Sequence, residues 1–116
     1  MIKKFFSALF GSLPKVQRSV EAQAKVDLET KSLALYQFAS CPYCAKVRLT
    51  MRRLNLDIQL RDAKNDPEHK LNLIQQGGKY QVPCLLLTSS DGVKKWLYES
   101  SDINRYLEER FAQSSL

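Results

Sequence analysis

One short motif at a junction limits the folds open to this chain. Cys41-Pro42-Tyr43-Cys44 follows an apolar run, Leu33-Ala-Leu-Tyr-Gln-Phe38, and opens a segment with helical spacing. The run reads as a buried strand. Residues 42–55 read as a helix, with Val47, Leu49, Met51 and Leu54 set among Lys46, Arg48, Arg52 and Arg53. A strand that feeds a helix calls for a parallel partner beyond the crossover. Asp57-Ile-Gln-Leu-Arg61 alternates as that strand. Asp66-Pro67-Glu68 then begins a helix, with Asp as cap and Pro in the first turn. Leu71, Leu73 and Ile74 continue it, and Gly77-Gly78 closes it. Cys84–Thr88 and Val93–Tyr98 flank the turn Ser89-Ser-Asp-Gly92 as a hairpin. Ser100 to Phe111 ends the pattern as a helix with Ile103, Tyr106, Leu107 and Phe111 on one face. The expectation is an α/β fold with a four-stranded mixed sheet flanked by helices.

At 116 residues the chain suits one domain, large enough to hold a core without disulfide staples. Three cysteines are too few for a disulfide framework, and two of them share the Cys-x-x-Cys spacing. The net charge of +6 favours anionic ligands without choosing among them. Lys46, Arg48, Arg52 and Arg53 lack interleaved aromatics or a nucleic-acid motif, so they read as a solvated helix face and no nucleic-acid partner is expected.

The position of the motif carries its chemistry. The first amides of a helix have no internal partners, and with the helix dipole they favour a thiolate at Cys41. Pro42 has no amide hydrogen to leave unpaired, and Lys46 and Arg48 add positive potential. Cys44 sits deeper in the first turn, within reach of the Cys41 sulfur. Cys41 then attacks, and Cys44 resolves the mixed disulfide. The alternative is half of a zinc site, for which only Cys84 and His69 remain as ligands. Redox chemistry is the expectation. Val82-Pro83 stands directly before a strand, where a proline belongs at the entry because it cannot donate to the ladder. Cys84 reads as a small buried strand residue, with a reactive third thiol as the alternative, and His69 as a solvated side chain.

These residues together resemble a glutaredoxin of the thioredoxin fold, over residues 33 to about 111. Cys41-Pro-Tyr-Cys44 is the dithiol glutaredoxin motif, and Val82-Pro83 before a strand fits the same family. The resemblance implies glutathione-dependent disulfide reduction, a cis Pro83, and a glutathione mixed disulfide carried on Cys41. Glu99-Ser100-Ser101 at a helix start departs from the glutaredoxin pattern and looks more like the N-terminal domain of glutathione transferases. It implies that Ser100 and Ser101 hold the γ-glutamyl carboxylate and that Glu99 faces the amine, with Tyr43 and Val82 beside the tripeptide. No lysine precedes Cys41; Lys46, Lys64 and Lys79 remain candidates for the glycine carboxylate. The implied partners are glutathione and disulfide-containing or glutathionylated proteins, with the chain a monomer and no metal expected. Some glutaredoxins bridge an iron–sulfur cluster, which keeps a glutathione-ligated metal carrier as the alternative, although Pro42 disfavours it. A transferase fragment is disfavoured because the chain ends just after the last helix of the fold.

Residues 1–31 read as an N-terminal extension to a domain at 32–116. The extension carries six basic and three acidic residues. Phe5, Phe6, Leu9, Phe10 and Leu13 fall at helical spacing beside Lys3 and Lys4. The alternatives are a helix that lies on a membrane or partner, and one that packs on its own domain; the second is preferred. The apolar run is short for a signal peptide and far from the small-residue pair Ala22 and Ala24, so a cytoplasmic location is expected.

Overall fold

The computed structural model describes residues 15–112. Four strands form one sheet in the order β2-β1-β3-β4: β1 (Leu33–Gln37), β2 (Gln59–Asp62), β3 (Cys84–Thr88) and β4 (Lys94–Tyr98). β1 pairs parallel with β2 and antiparallel with β3, and β3 pairs antiparallel with β4. The central position of β1 explains its unbroken apolar run, because every one of its residues is buried.

Alternate residues supply two cores. Leu33, Leu35 and Leu85 pack with Val47, Met51 and Leu54 of α2 (Pro42–Arg53) and its end, and with Ile103, Leu107 and Phe111 of α4 (Ser100–Phe111). Each fully buried leucine or isoleucine contributes about 1.5–3 kcal/mol relative to exposure. The opposite face carries Ala34, Tyr36, Cys84 and Leu86 against Ala63 and Leu73. It is covered by α3 (Pro67–Asn72) and a π-helical turn, Leu73–Gly77. Asp66 caps α3 as expected, accepting from the amides of Glu68 at 3.0 Å and His69 at 3.4 Å. A Cβ on Gly77 would lie 2.6 Å from Tyr98 Oη, so only glycine lets this turn meet β4 so closely. Gly78, at φ 89°, ends the turn in the left-handed region. This is the thioredoxin fold.

Three expectations need correction. Leu49, Leu71 and Ile74 are exposed, since each helix presents only a narrow stripe to the sheet. His69 is half-buried: its ring stands edge-on to Tyr36 at 6.0 Å, because α3 covers that part of the sheet. Its Nδ1 is buried without a hydrogen-bond partner among the described residues, and Nε2 lies 3.5 Å from Asp66. The helical spacing at residues 5–13 lies outside the described residues, but a helix for which no apolar periodicity argued does form within the extension. This is α1 (Val20–Thr30), capped by Ser19 Oγ, which accepts from the Ala22 amide at 3.1 Å. Polar bonds to distant backbone hold it: Arg18 donates to the carbonyls of Leu54 at 2.8 Å and Phe111, and the Val16 amide donates to Arg53 at 2.9 Å. α1 thus sits against the C-terminal ends of α2 and α4.

Candidate functional site

Strand register gathers the site. Tyr36 pairs with Cys84, and Cys84 with Tyr98, in one row across the sheet. The segments that continue from this row are the Phe38–Cys41 turn, the Val82-Pro83 entry to β3, and Glu99–Ser101 at the start of α4. Cys41, Cys44, Tyr43, Val82, Pro83, Glu99, Ser100 and Ser101 are therefore at one pole of the sheet. α1 lies at the other.

Cys41 is the N-cap of α2, with Pro42 in the first turn. Its amide donates to Phe38 O at 3.3 Å, which closes the turn, and its Sγ accepts from the Cys44 amide at 3.4 Å. Burial by itself pushes the Cys41 thiol up. Hydrogen bonds from Cys44 and the Tyr43 amide, with the charge of Arg48, outweigh it and bring the thiol below its ordinary value. Cys44 is fully buried and shifted oppositely, to about 11, chiefly by burial. An accessible, acidified thiol thus sits next to a buried, weakly acidic one. All three cysteines are free thiols.

The charge of Arg48 lies close enough to Cys41 to lower its thiol. It bonds the Gln37 side chain and the carbonyls of Phe38 at 3.4 Å and Ala39 at 3.2 Å, tying α2 to the turn that carries Cys41. Lys46 instead lies over the Tyr43 ring, Nζ 5.4 Å from its centroid, and Tyr43 is 59% exposed. Lys79 sits over Tyr98 at 4.9 Å.

The Val82–Pro83 bond is cis, as the resemblance implies. Pro83 is buried and Val82 half-buried against the second core, and the Val82 backbone makes no backbone hydrogen bond among the described residues. Glu99 adopts φ 74°, ψ 119° as the N-cap of α4, with no side-chain cap. A non-glycine residue at positive φ is uncommon and often marks a site. No Ser or Asp side chain caps the helix either; Asp102 pairs with Arg105. The first amides of α4, on Ser100 and Ser101, are left open to an anion. A groove of 510 Å³ between α2 and α4 is lined in part by Lys46, Leu49, Ser100 and Ser101.

Sequence reasoning missed Gln81. Its Nε2 donates to Glu99 Oε2 at 3.1 Å, joining the entry of β3 to the start of α4. Adjacency to Val82-Pro83 was the available signal. Cys84 is fully buried, its thiol pushed up to about 12 by burial, partly offset by its hydrogen bond with Tyr98. Tyr98 is raised to about 12 as well, by burial and by Cys84. Among the described residues no three His, Cys, Asp or Glu side chains come together as a metal-holding group.

Comparison with known proteins follows this geometry. The family model for "Glutathione S-transferase, N-terminal domain" matches residues 35–115. "Glutathione S-transferase DHAR3, chloroplastic" of Arabidopsis thaliana is 32% identical over 82 residues, 69% of this chain and 29% of that protein. Maleylacetoacetate isomerase from Anaeromyxobacter dehalogenans, in a structure with bound dicarboxyethyl glutathione and citrate, superposes with a TM-score of 0.54 at 27% identity. A second structure of it, with GSH in the active site, also gives 0.54, at 26% identity. Both cover 71% of this chain and 38% of theirs. The chain thus spans about a third of the length of the relatives it matches. The family is the one that Glu99-Ser100 resembled. The chain belongs to the glutathione S-transferase N-terminal domain family.

Proposed function

We propose that the chain is a glutathione-dependent thiol-disulfide oxidoreductase that works through Cys41. The observation that carries this is the asymmetric pair: Cys41 accessible with its pKa lowered at the head of α2, Cys44 buried with its pKa raised to about 11, and an N–H···S bond between them. The Cys41 thiolate attacks one sulfur of a glutathionylated protein or another mixed disulfide. A new S–S bond forms on Cys41, the old one breaks, and the departing thiolate takes up a proton. When the captured half is glutathione, a second glutathione thiolate attacks it, giving oxidised glutathione and restoring Cys41. Cys44 offers the intramolecular route, leaving a Cys41–Cys44 disulfide for two glutathione molecules to reduce. Arg48 holds the turn and stabilises the thiolate.

Glutathione appears in the printed descriptions of the superposing structures, which supports it as the co-substrate. The open backbone of Val82 beside Pro83 suits the extended peptide, with Tyr43 alongside. The amides of Ser100 and Ser101 suit its γ-glutamyl carboxylate, and Glu99 its amine. The test is a glutathione-coupled assay of mixed-disulfide reduction. Wild type is active and Cys41→Ser inactive under this reading; equal rates would sink it.

A further inference from the structure

Two helix stripes that the core does not use meet across the 510 Å³ groove between α2 and α4. Its lining includes Lys46, Leu49 and Arg53 on α2, and Ser101, Asn104 and Glu108 on α4. On each helix these residues are spaced three and four apart, so each set runs down one side. The ion pair between Arg53 and Glu108 closes the groove toward the C-terminal ends. Lys46 and Ser101 stand at its other end, on the side of the pole that holds Cys41.

Three groups in this groove lack a counterpart. Leu49 is 40% exposed, although Val47 and Met51 on the same helix are buried. Asn104 is half-buried, and its Oδ1 is buried with no hydrogen-bond partner among the described residues. A buried acceptor without a donor is costly, and turning the amide toward an N–H in the groove relieves that cost. Lys46 is exposed and carries no ion pair among the described residues. The other charges here are matched, Arg53 by Glu108 and Arg105 by Asp102, and α2 itself contains no acidic residue. The groove thus asks for an apolar side chain, an N–H donor and an anion. An extended polypeptide with one acidic and one apolar side chain brings all three.

We infer that the α2–α4 groove seats the polypeptide half of a glutathionylated protein, with an acidic side chain at Lys46 and an apolar one against Leu49. This rests on the thiol-disulfide chemistry proposed for Cys41 and names the substrate class of that site. Ser100 and Ser101, assigned there to glutathione, also line the groove, so the two halves of such a substrate occupy adjoining places. Helix rise fixes the spacing. Lys46 lies about 7.5 Å and Leu49 about 12 Å down α2 from Cys41. An extended chain advances about 3.3 Å per residue, which puts the acid about two residues and the apolar residue about four from the substrate cysteine. A small disulfide does not reach that far, so the groove selects for polypeptides.

The test is fluorescence anisotropy of the full chain with fluorescein-labelled decapeptides in which serine replaces the cysteine. One carries Glu about two and Leu about four residues after the serine, and a second carries them before it, so that both chain directions are sampled. One of the two should bind with Kd on the order of 10–100 μM, and its Glu→Lys/Leu→Ser version at least about tenfold more weakly. Leu49→Asp should weaken binding about tenfold and Asn104→Ala about fivefold. Lys46→Glu should weaken it too, and should restore binding of the peptide with Lys in place of Glu. Turnover of cysteine–glutathione disulfide, which has no polypeptide to seat, should be the same in wild type and Leu49→Asp. No binding of either peptide, or equal binding by wild type and Leu49→Asp, overturns the inference. The turnover arm separates the two readings: a wild type without turnover overturns the Cys41 chemistry and this substrate with it, whereas turnover without peptide binding overturns the groove alone. A dimer in analytical ultracentrifugation that Leu49→Asp dissociates would give the groove to a second copy, and also overturns the inference.

Discussion

Gln81 donates from Nε2 to Glu99 Oε2 at 3.1 Å, a side-chain bridge between the residue before Val82-Pro83 and the positive-φ cap of α4. It ties the side chain of Glu99, the residue before Ser100 and Ser101, to the entry of β3. Gln81→Ala frees that carboxylate. An exposed hydrogen bond of this kind contributes about 1 kcal/mol, so KM for glutathione should rise about fivefold with kcat nearly unchanged. Steady-state kinetics with varied glutathione reads this directly, and Gln81→Asn should recover less than half of the loss because its amide stops short of Glu99.

The two motif cysteines should separate cleanly. Cys41→Ser removes the attacking sulfur and should leave activity at background. Cys44→Ser keeps the backbone amide that donates to Cys41 Sγ at 3.4 Å, so the thiolate keeps that support. It should retain a large share of mixed-disulfide reduction, with glutathione as the resolving thiol. Initial rates of the two variants side by side give the answer.

Thiolate support at Cys41 should appear in the pH dependence of its alkylation. Burial raises this thiol, and hydrogen bonds from Cys44 and Tyr43 with the charge of Arg48 more than reverse it. The midpoint of the iodoacetamide rate profile should lie below that of an ordinary thiol. Arg48→Met should move it upward, since one charge, two bonds to the turn and one to the Gln37 side chain are lost.

Alkaline stability has a definite sign. Cys44, at about 11, and Cys84 and Tyr98, each at about 12, are raised above their ordinary values, mainly by burial. The folded chain keeps these protons longer than the unfolded chain. Their contribution is full below about pH 9 and is lost as pH rises through 11 to 12. Thermal melts from pH 8 upward should show a falling Tm. Cys84→Ala with Tyr98→Phe removes two of the three groups and should flatten that fall, whatever its effect at neutral pH.

Gly77 allows the π-helical turn to meet β4. A Cβ there would lie 2.6 Å from Tyr98 Oη and 3.0 Å from the Trp96 ring. Gly77→Ala should cost about 1–3 kcal/mol in urea unfolding. Tyr98→Phe in the same chain should recover part of it by removing the hydroxyl, a coupling that a double-mutant cycle measures.

Much of the fold is legible in local chemistry. The apolar run of β1, the Asp66 cap and Pro67, and the glycine at 78 each specify their element from neighbours a few residues away. Other features depend on partners far along the chain. The apolar residues of α1 at four-residue spacing face outward, so they do not place the helix; Arg18 fixes it through carbonyls 36 and 93 residues distant. His69 reads as a solvated side chain from its charged neighbours, yet α3 lays it against Tyr36. Arg48 reads as one of several basic residues on a helix face until the turn before Cys41 is folded back onto it.

The sequence by itself determined the order of elements from β1 to α4 and the placement of Cys41 and Cys44 at the head of a helix, because period, capping and helix-terminus chemistry act over a few residues. Tertiary structure alone decided which residues support that pair and which surface remains uncovered. The row Tyr36–Cys84–Tyr98 brings segments from residues 41, 83 and 99 to one pole, and only the register of paired strands makes them neighbours. Burial decided the rest: it separates the two thiols of one motif, and it leaves Val20 and Leu28 outside. Solvent exclusion is a property of the assembled fold, so no local stretch of sequence contains it.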